Sequence, residues 1–217
     1  MALVKPTVFD GFTQRQVGVG DTFALSEVIP ATDSTATNLT ITGQMLLGGI
    51  ILRNPGGVSN ENIDTAANII AALTRGLGIS AVEPGLSWRV RWLLTTAFAL
   101  TVQATANTGV TVTRGTVAAS TTKDFLVTVV NGTPAQTFQG TTTNGSAVVG
   151  GLTQAQLALL SVGMIVTNAV ANLQGTTIIA INLAAGTVTM SGNANATNTT
   201  PVTIAFSPVV KVEGLSA

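Results

Sequence analysis

Apolar and polar residues alternate with a period of two in short stretches along most of the chain, which is the pattern of half-buried strands. The first such stretch sets Leu39 and Ile41 against Thr40 and Thr42. A second apolar run, Met45 to Leu52, reads as another strand and is ended by Asn54-Pro55-Gly56-Gly57. Helical spacing takes over once in this region. Asp64 is a candidate N-cap, Ile63, Ala67, Ile70 and Leu73 line one face, and Gly76 and Gly78 provide the stop. Strands rich in Val, Leu, Thr and aromatic residues are then predicted at Trp88 to Leu94, Ala97 to Ala104, Gly109 to Arg114 and Phe125 to Val130, with Asn131-Gly132 as a turn.

Beyond this turn the alternation returns in shorter units: Ser146 to Val149, Met164 to Val170, Thr176 to Ile181, Thr187 to Met190 and Val202 to Phe206. Asn144-Gly145, Ala185-Gly186 and Gly192-Asn193 separate them as turns. Thr153 followed by Gln156 is a capping-box pattern and predicts a short helix over Thr153 to Leu160. These elements predict an all-β protein in three parts. Residues 1–37 form an N-terminal arm or an edge strand folded onto the body, residues 38–138 a jelly-roll-like β-sandwich domain with one helix, and residues 139–217 a small C-terminal β domain ending in a terminal strand or tail.

Composition changes this picture mainly through charge. Hydrophobic residues make up 46% of the 217 positions and charged residues only 8%, with no net charge, about a third of the usual charged share. From Phe125 through Val210 no side chain is ionisable. Repeated aliphatic alternation argues against disorder in that tract. A neutral, charge-poor surface points to association with other protein. Nucleic acid is not an expected partner, because the nine Lys and Arg residues are spread along the chain and form no basic patch.

Mean hydropathy is positive at +0.51, which raises the question of a membrane. The longest apolar runs, Met45 to Leu52, Trp92 to Leu100 and Leu157 to Val166, fall short of the roughly 18 residues that a spanning helix requires. An outer-membrane barrel would want aromatic girdles, yet aromatics are 4% and tyrosine is absent. No membrane partner is expected. The N-terminus shows no apolar signal region, and without cysteine no disulfide framework forms.

The search for chemistry finds no catalytic constellation. Histidine is absent, so acid–base roles would fall to carboxylates or lysine. Asp10, Asp21, Glu27, Asp33, Glu61, Asp64, Glu83, Asp124 and Glu213 are scattered, most of them at turns or caps. Cys and His metal ligands are missing and no D-x-D calcium loop occurs. Gly18-Val-Gly20 lacks the strand, third glycine and helix of a dinucleotide site. The expectation is a non-enzymatic protein without cofactor or metal.

The residues singled out instead are candidates for contact. The arm holds three of the seven phenylalanines, Phe9, Phe12 and Phe23, together with Arg15, all suited to engage a neighbouring subunit or shell. In the string Trp88-Arg-Val-Arg-Trp92, a strand places Trp88, Val90 and Trp92 on one face and Arg89 and Arg91 on the other. That second face is either a solvated surface, the simpler reading, or a charged stripe that pairs with a partner.

Two segments resemble the virion surface proteins of tailed bacteriophages: capsid decoration (cement) proteins and head-fibre or spike proteins. The first runs through Asp64-Thr-Ala-Ala-Asn-Ile-Ile-Ala-Ala-Leu73, the Trp88 to Leu94 strand, Ala106-Asn-Thr-Gly-Val-Thr-Val112 and Lys123-Asp-Phe-Leu-Val-Thr-Val-Val-Asn-Gly-Thr133. It is similar to a β-sandwich module of phage particles, departing from it at the apolar Leu93-Leu94-Thr-Thr-Ala-Phe98. The second, Thr142 to Phe206, is similar to a short β module appended to such proteins. The resemblance implies a homotrimeric protein on the outer capsid surface of the virion, made in the host cytoplasm. Its partners would be the major capsid protein and further copies of itself, and its task to clamp neighbouring capsid subunits. The alternative it implies is a head-fibre or tail spike protein that grips a host surface glycan.

Overall fold

A computed structural model describes residues 38–78, 82–168, 173 and 176–215, together with the backbone of two short strands near the N-terminus. Those two, β1 (Thr7–Phe9) and β2 (Gln14–Gln16), pair antiparallel. The contact roles expected of Phe9, Phe12, Arg15 and Phe23 lie outside the described residues.

The described body opens with β3 (Thr40–Ile41), α1 (Gly43–Leu47), β4 (Ile50–Arg53), β5 (Ser59–Ile63) and α2 (Ala66–Leu77). It continues with β6 (Ser87–Leu94), β7 (Leu100–Ala104), β8 (Val110–Thr113), β9 (Thr116–Val117) and β10 (Thr122–Asn131). Then follow β11 (Gln136–Thr142), β12 (Val148–Gly150), α3 (Gln154–Leu157), β13 (Ile165–Asn168), β14 (Thr176–Asn182), β15 (Thr187–Met190), β16 (Asn198–Ser207) and β17 (Val209–Gly214).

Two sheets, β4-β6-β10-β17-β8 and β3-β5-β7-β9, share one core with the two helices. The all-β sandwich predicted by the alternation is present, and its sheets are mixed. β4–β6, β17–β8, β3–β5 and β5–β7 run parallel, and the remaining pairs of these two sheets antiparallel. Trp92 and Phe125, both fully buried, meet at the centre with ring centroids 4.7 Å apart. The alternation in β6 is as the sequence implies: Val90, Trp92 and Leu94 are buried, while Arg89 and Arg91 point outward.

The apolar run Met45 to Leu52 is not one strand. Thr42 caps a helix by accepting from Met45 N, so Gly43–Leu47 coils, and Gly48-Gly49 breaks the chain before β4. Apolar residues on both sides of a break cannot be told from a continuous buried strand by periodicity. Gly43 is required where α1 crosses α2, because a Cβ there would sit 2.8 Å from Ile69 Cα. The N-cap of α2 is Thr65, one residue later than expected. Asp64 instead accepts from Thr65 N and from Asn68 Nδ2. Gly76 lies within α2, and Gly78, in the left-handed conformation at φ 64°, ends it.

Strands β11 to β16 close into a barrel of order β11-β12-β15-β14-β13-β16 in which every neighbouring pair is antiparallel. Its interior is packed with Val149, Val166, Ile178, Val188, Ile204 and Phe206, among others, and has its own core separate from that of the sandwich. Leu157 of α3 joins that core, and the Thr153–Gln156 capping box predicted from the sequence is formed in both directions.

The expected boundaries need correction at both ends. The barrel begins with β11, before residue 139, and the last strand does not belong to it. β17 lies inside the five-stranded sheet between β10 and β8, with Val209 in register with Asn131. The barrel is therefore an insertion into the connection between two adjacent antiparallel strands of the sandwich. Asn131-Gly132, expected to be a turn, is the joint. The Asn131 amide is 5% exposed and donates to Ser161 Oγ (2.8 Å) and Val162 O (3.0 Å), while its carbonyl accepts from Thr133 N.

Candidate interaction face

The outer face of the five-stranded sheet gathers charge that the sequence scatters. Because β6 and β10 pair with Asp124 opposite Arg91, the two side chains meet on the same face. Arg91 Nε donates to Asp124 Oδ1 at 2.7 Å and Nη2 to Oδ2 at 3.0 Å, a fork-on-carboxylate geometry. The next outward row holds Arg89, Leu126 and Glu213 across β6, β10 and β17. Lys211, two residues from Glu213 on β17, donates to it at 2.9 Å.

These bonds shape the acids. The hydrogen bond from Arg91 holds the Asp124 carboxyl below its ordinary range, with Arg91 and Arg89 charge adding to the effect against partial desolvation, and the same bond raises Arg91. Glu213 is likewise lowered, first by its hydrogen bond from Lys211 and then by the charges of Lys211 and Arg114. Arg89 is exposed and forms no ion pair with a described residue.

At the end of this face lies an open cavity of about 530 Å³ lined by Arg89, Arg91, Lys123 and Asp124 with the hydroxyls of Thr116 and Thr122. Lys123 Nζ is fixed there by donating to the carbonyls of Arg114 and Thr116, both at 2.7 Å, and lies 5.6 Å from the Phe125 ring centre. Among the described residues the cavity lining thus sets Arg89, Arg91 and Lys123 against the carboxylate of Asp124, and Lys211 and Arg114 act on Glu213 nearby. Such an array can hold an acidic group by charge and by fixed donors. The cationic site residues proposed from the WRVRW string do come together here, whereas the sequence showed no sign that Lys123, Arg114 and Lys211 would join them. The β6–β10–β17 register brings Lys123 and Lys211 near the arginines, and the β8–β17 pairing brings Arg114 next to Glu213.

A second ionic feature was missed altogether. Arg53 on β4 and Glu61 on β5 reach across between the two sheets, with Nη2 to Oε1 at 2.8 Å and side-chain exposures of 1% and 0%. Ser59 Oγ also donates to Glu61 Oε1, at 2.7 Å. This pair sits in the sandwich interior.

The barrel presents the opposite surface. None of its residues from β11 to β16 is ionisable, and Val148, Leu159, Val162, Ile179 and Leu183 are exposed on it. Among the described residues no three His, Cys, Asp or Glu side chains come close enough to hold a metal ion, and no helix is long and apolar enough to cross a membrane. Comparison with protein-family models, curated proteins and solved structures returns no match.

Proposed function

We propose that this chain is a non-enzymatic virion structural protein that decorates and stabilises an icosahedral phage capsid by bridging neighbouring capsid subunits. Its partners are the major capsid protein and other copies of itself, as a homotrimer, on the outer capsid surface. The observation that carries the reading is the pairing of two chemically different surfaces on one chain: a sheet face rich in cations, and an inserted barrel without any charge. A bridging protein needs separate surfaces for separate neighbours. The neutral barrel can be buried in an interface without desolvating ions, a cost that often cancels their attraction. The family resemblance of both segments points the same way.

Cosedimentation tests it. Purified full-length chain should bind shells that lack it, and should bind them in hundreds of copies. Removing residues 1–30 should abolish binding while the body stays folded. Full binding by the shortened chain would refute the arm's role, and no binding by the full chain would refute the reading.

The rival, a fibre or spike gripping a host glycan, is favoured by the projection of a separate β module, but the ring chemistry runs against it. Sugar sites commonly present exposed aromatics, and in the barrel Phe206 is fully buried and Phe138 half-buried. A count of a few to a few dozen copies per particle would favour this rival.

A further inference from the structure

We infer that the cationic cavity on the sandwich is a socket for a second copy of this chain, filled by the turn Glu83-Pro84-Gly85 with the Glu83 carboxylate on Arg89. The inference deepens the self-association in the proposed function and does not depend on the capsid. Three observations carry it.

The first is unmatched charge. The cavity lining sets Arg89, Arg91 and Lys123 against one carboxylate, Asp124, which Arg91 already holds. Lys123 gives two of its three N–H groups to carbonyls. Arg89 is exposed and has no ion pair with a described residue. On the acidic side, Glu61, Asp124 and Glu213 are ion-paired, and Asp64 accepts from Thr65 N and Asn68 Nδ2. Glu83 is exposed and has no ion pair or side-chain hydrogen bond with a described residue. It is the carboxylate left over among the described residues, as Arg89 is the cation left over in the cavity.

The second is position. Leu86 N donates to Glu83 O (3.4 Å), Gly85 takes φ 91°, and Gly85 N donates to Val129 O (2.7 Å). These contacts pin the turn to one end of the β6–β10 pair, with Glu83, Pro84, Gly85 and Leu86 all exposed. The cavity's Thr122 lies seven residues back along β10 from Val129, roughly 23 Å. The strands hold that distance, so the turn cannot enter its own chain's cavity and is presented to a neighbour.

The third is apolar fit. Leu86 is 37% exposed beside Glu83, and Leu215 and Ala118 line the cavity. Their mutual burial adds area to a contact whose ion pair alone contributes little at a surface. The charge pair then sets register and orientation. Turn and cavity are different surfaces of one chain, so the contact is head-to-tail. Such contacts build rings or open filaments, and the homotrimer is the ring of three.

Sedimentation velocity of the full chain over a range of concentrations tests it. A trimer should dissociate on dilution, and Glu83→Arg or Arg89→Glu should each raise the dissociation constant about tenfold or more. The double variant should return it close to the starting value, while Glu83→Gln, which adds no repulsion, should weaken assembly less than Glu83→Arg. Both residues are exposed, so slow amide exchange in β6 and β10 should be the same in every variant. A monomer at every concentration, a trimer indifferent to both reversals, or reversals that fail to rescue each other would each overturn the inference. A mass of two copies, or an open filament, would overturn the ring. An indifferent trimer would leave the cavity to an acidic partner other than a copy. Shell binding is read separately by cosedimentation. A chain that binds shells with assembly indifferent to Glu83 refutes this contact alone, and one that assembles through Glu83 but binds no shell refutes the capsid reading alone.

Discussion

The sandwich and the barrel solve the same problem, a closed β core, with different chemistry. The sandwich uses two helices, mixed sheets, an ion pair buried between the sheets and a charged outer face. The barrel does without charge. Its polar groups are hydroxyls and amides that bond locally, such as Thr142 Oγ1 to Ala196 O, Asn198 Nδ2 to Thr142 Oγ1 and Gln139 Nε2 to Thr203 Oγ1. The contrast teaches that charge is not a requirement of a closed β core. A β core folds without it, and where it collects at the surface it marks one sheet face.

The two largest expected effects separate the modules. Phe206→Ala empties the barrel core and should cost about 3–5 kcal/mol, and Glu61→Ala removes the carboxylate paired with buried Arg53 at a similar cost of about 3–5 kcal/mol. Each should lower the denaturant midpoint of its own module, followed by hydrogen exchange at Val188 for the barrel and Val127 for the sandwich. Loss of protection in both modules from either variant would show a single cooperative unit and erase the distinction. Replacing the ion pair whole, as Arg53→Met with Glu61→Leu, should be neutral or stabilising by about 1–4 kcal/mol. A loss as large as that of Glu61→Ala would mean the pair does more than fill space.

That buried pair also shows where the sequence is silent. In β5 the inward positions are Ser59, Glu61 and Ile63, so a strand that crosses the core carries no hydrophobic alternation. By contrast, β15 was legible to the residue because Val188 and Met190 alternate with threonines and Gly186 marks the turn before them. β17 was read as a terminal element, and its place in the sheet was hidden because strand order is set by long-range pairing, not by local pattern. The same holds for the interaction face. Arg89 and Arg91 could be placed outward from a period of two, but Lys123 and Lys211 join them only through the β6–β10–β17 register, and Arg114, just after β8, only through the β17–β8 pairing.

A smaller effect sits in the barrel. Thr153→Ala removes the capping box of α3 and should cost about 1 kcal/mol, seen as a small fall in the barrel midpoint with the sandwich unchanged. The smallest is a response to acid. Asp124 and Glu213 are lowered in the fold, so their contribution is complete above the ordinary carboxylate range and is lost as pH falls through their depressed values. The sandwich should weaken slightly below about pH 4. The barrel, with no titratable side chain, should keep its midpoint. Asp124→Asn should flatten part of the sandwich's slope. An acid-sensitive barrel would contradict the comparison.

The most direct test of the insertion is to remove it. Asn131 and Val209 are paired in register, so residues 132–208 can be replaced by a two-residue Asn-Gly turn, which suits adjacent antiparallel strands. The shortened chain should unfold cooperatively and keep slow amide exchange in β10 and β17. A chain that no longer folds, or that loses protection in those two strands, would show that the barrel is part of the sandwich's structure and not a module set into its hairpin.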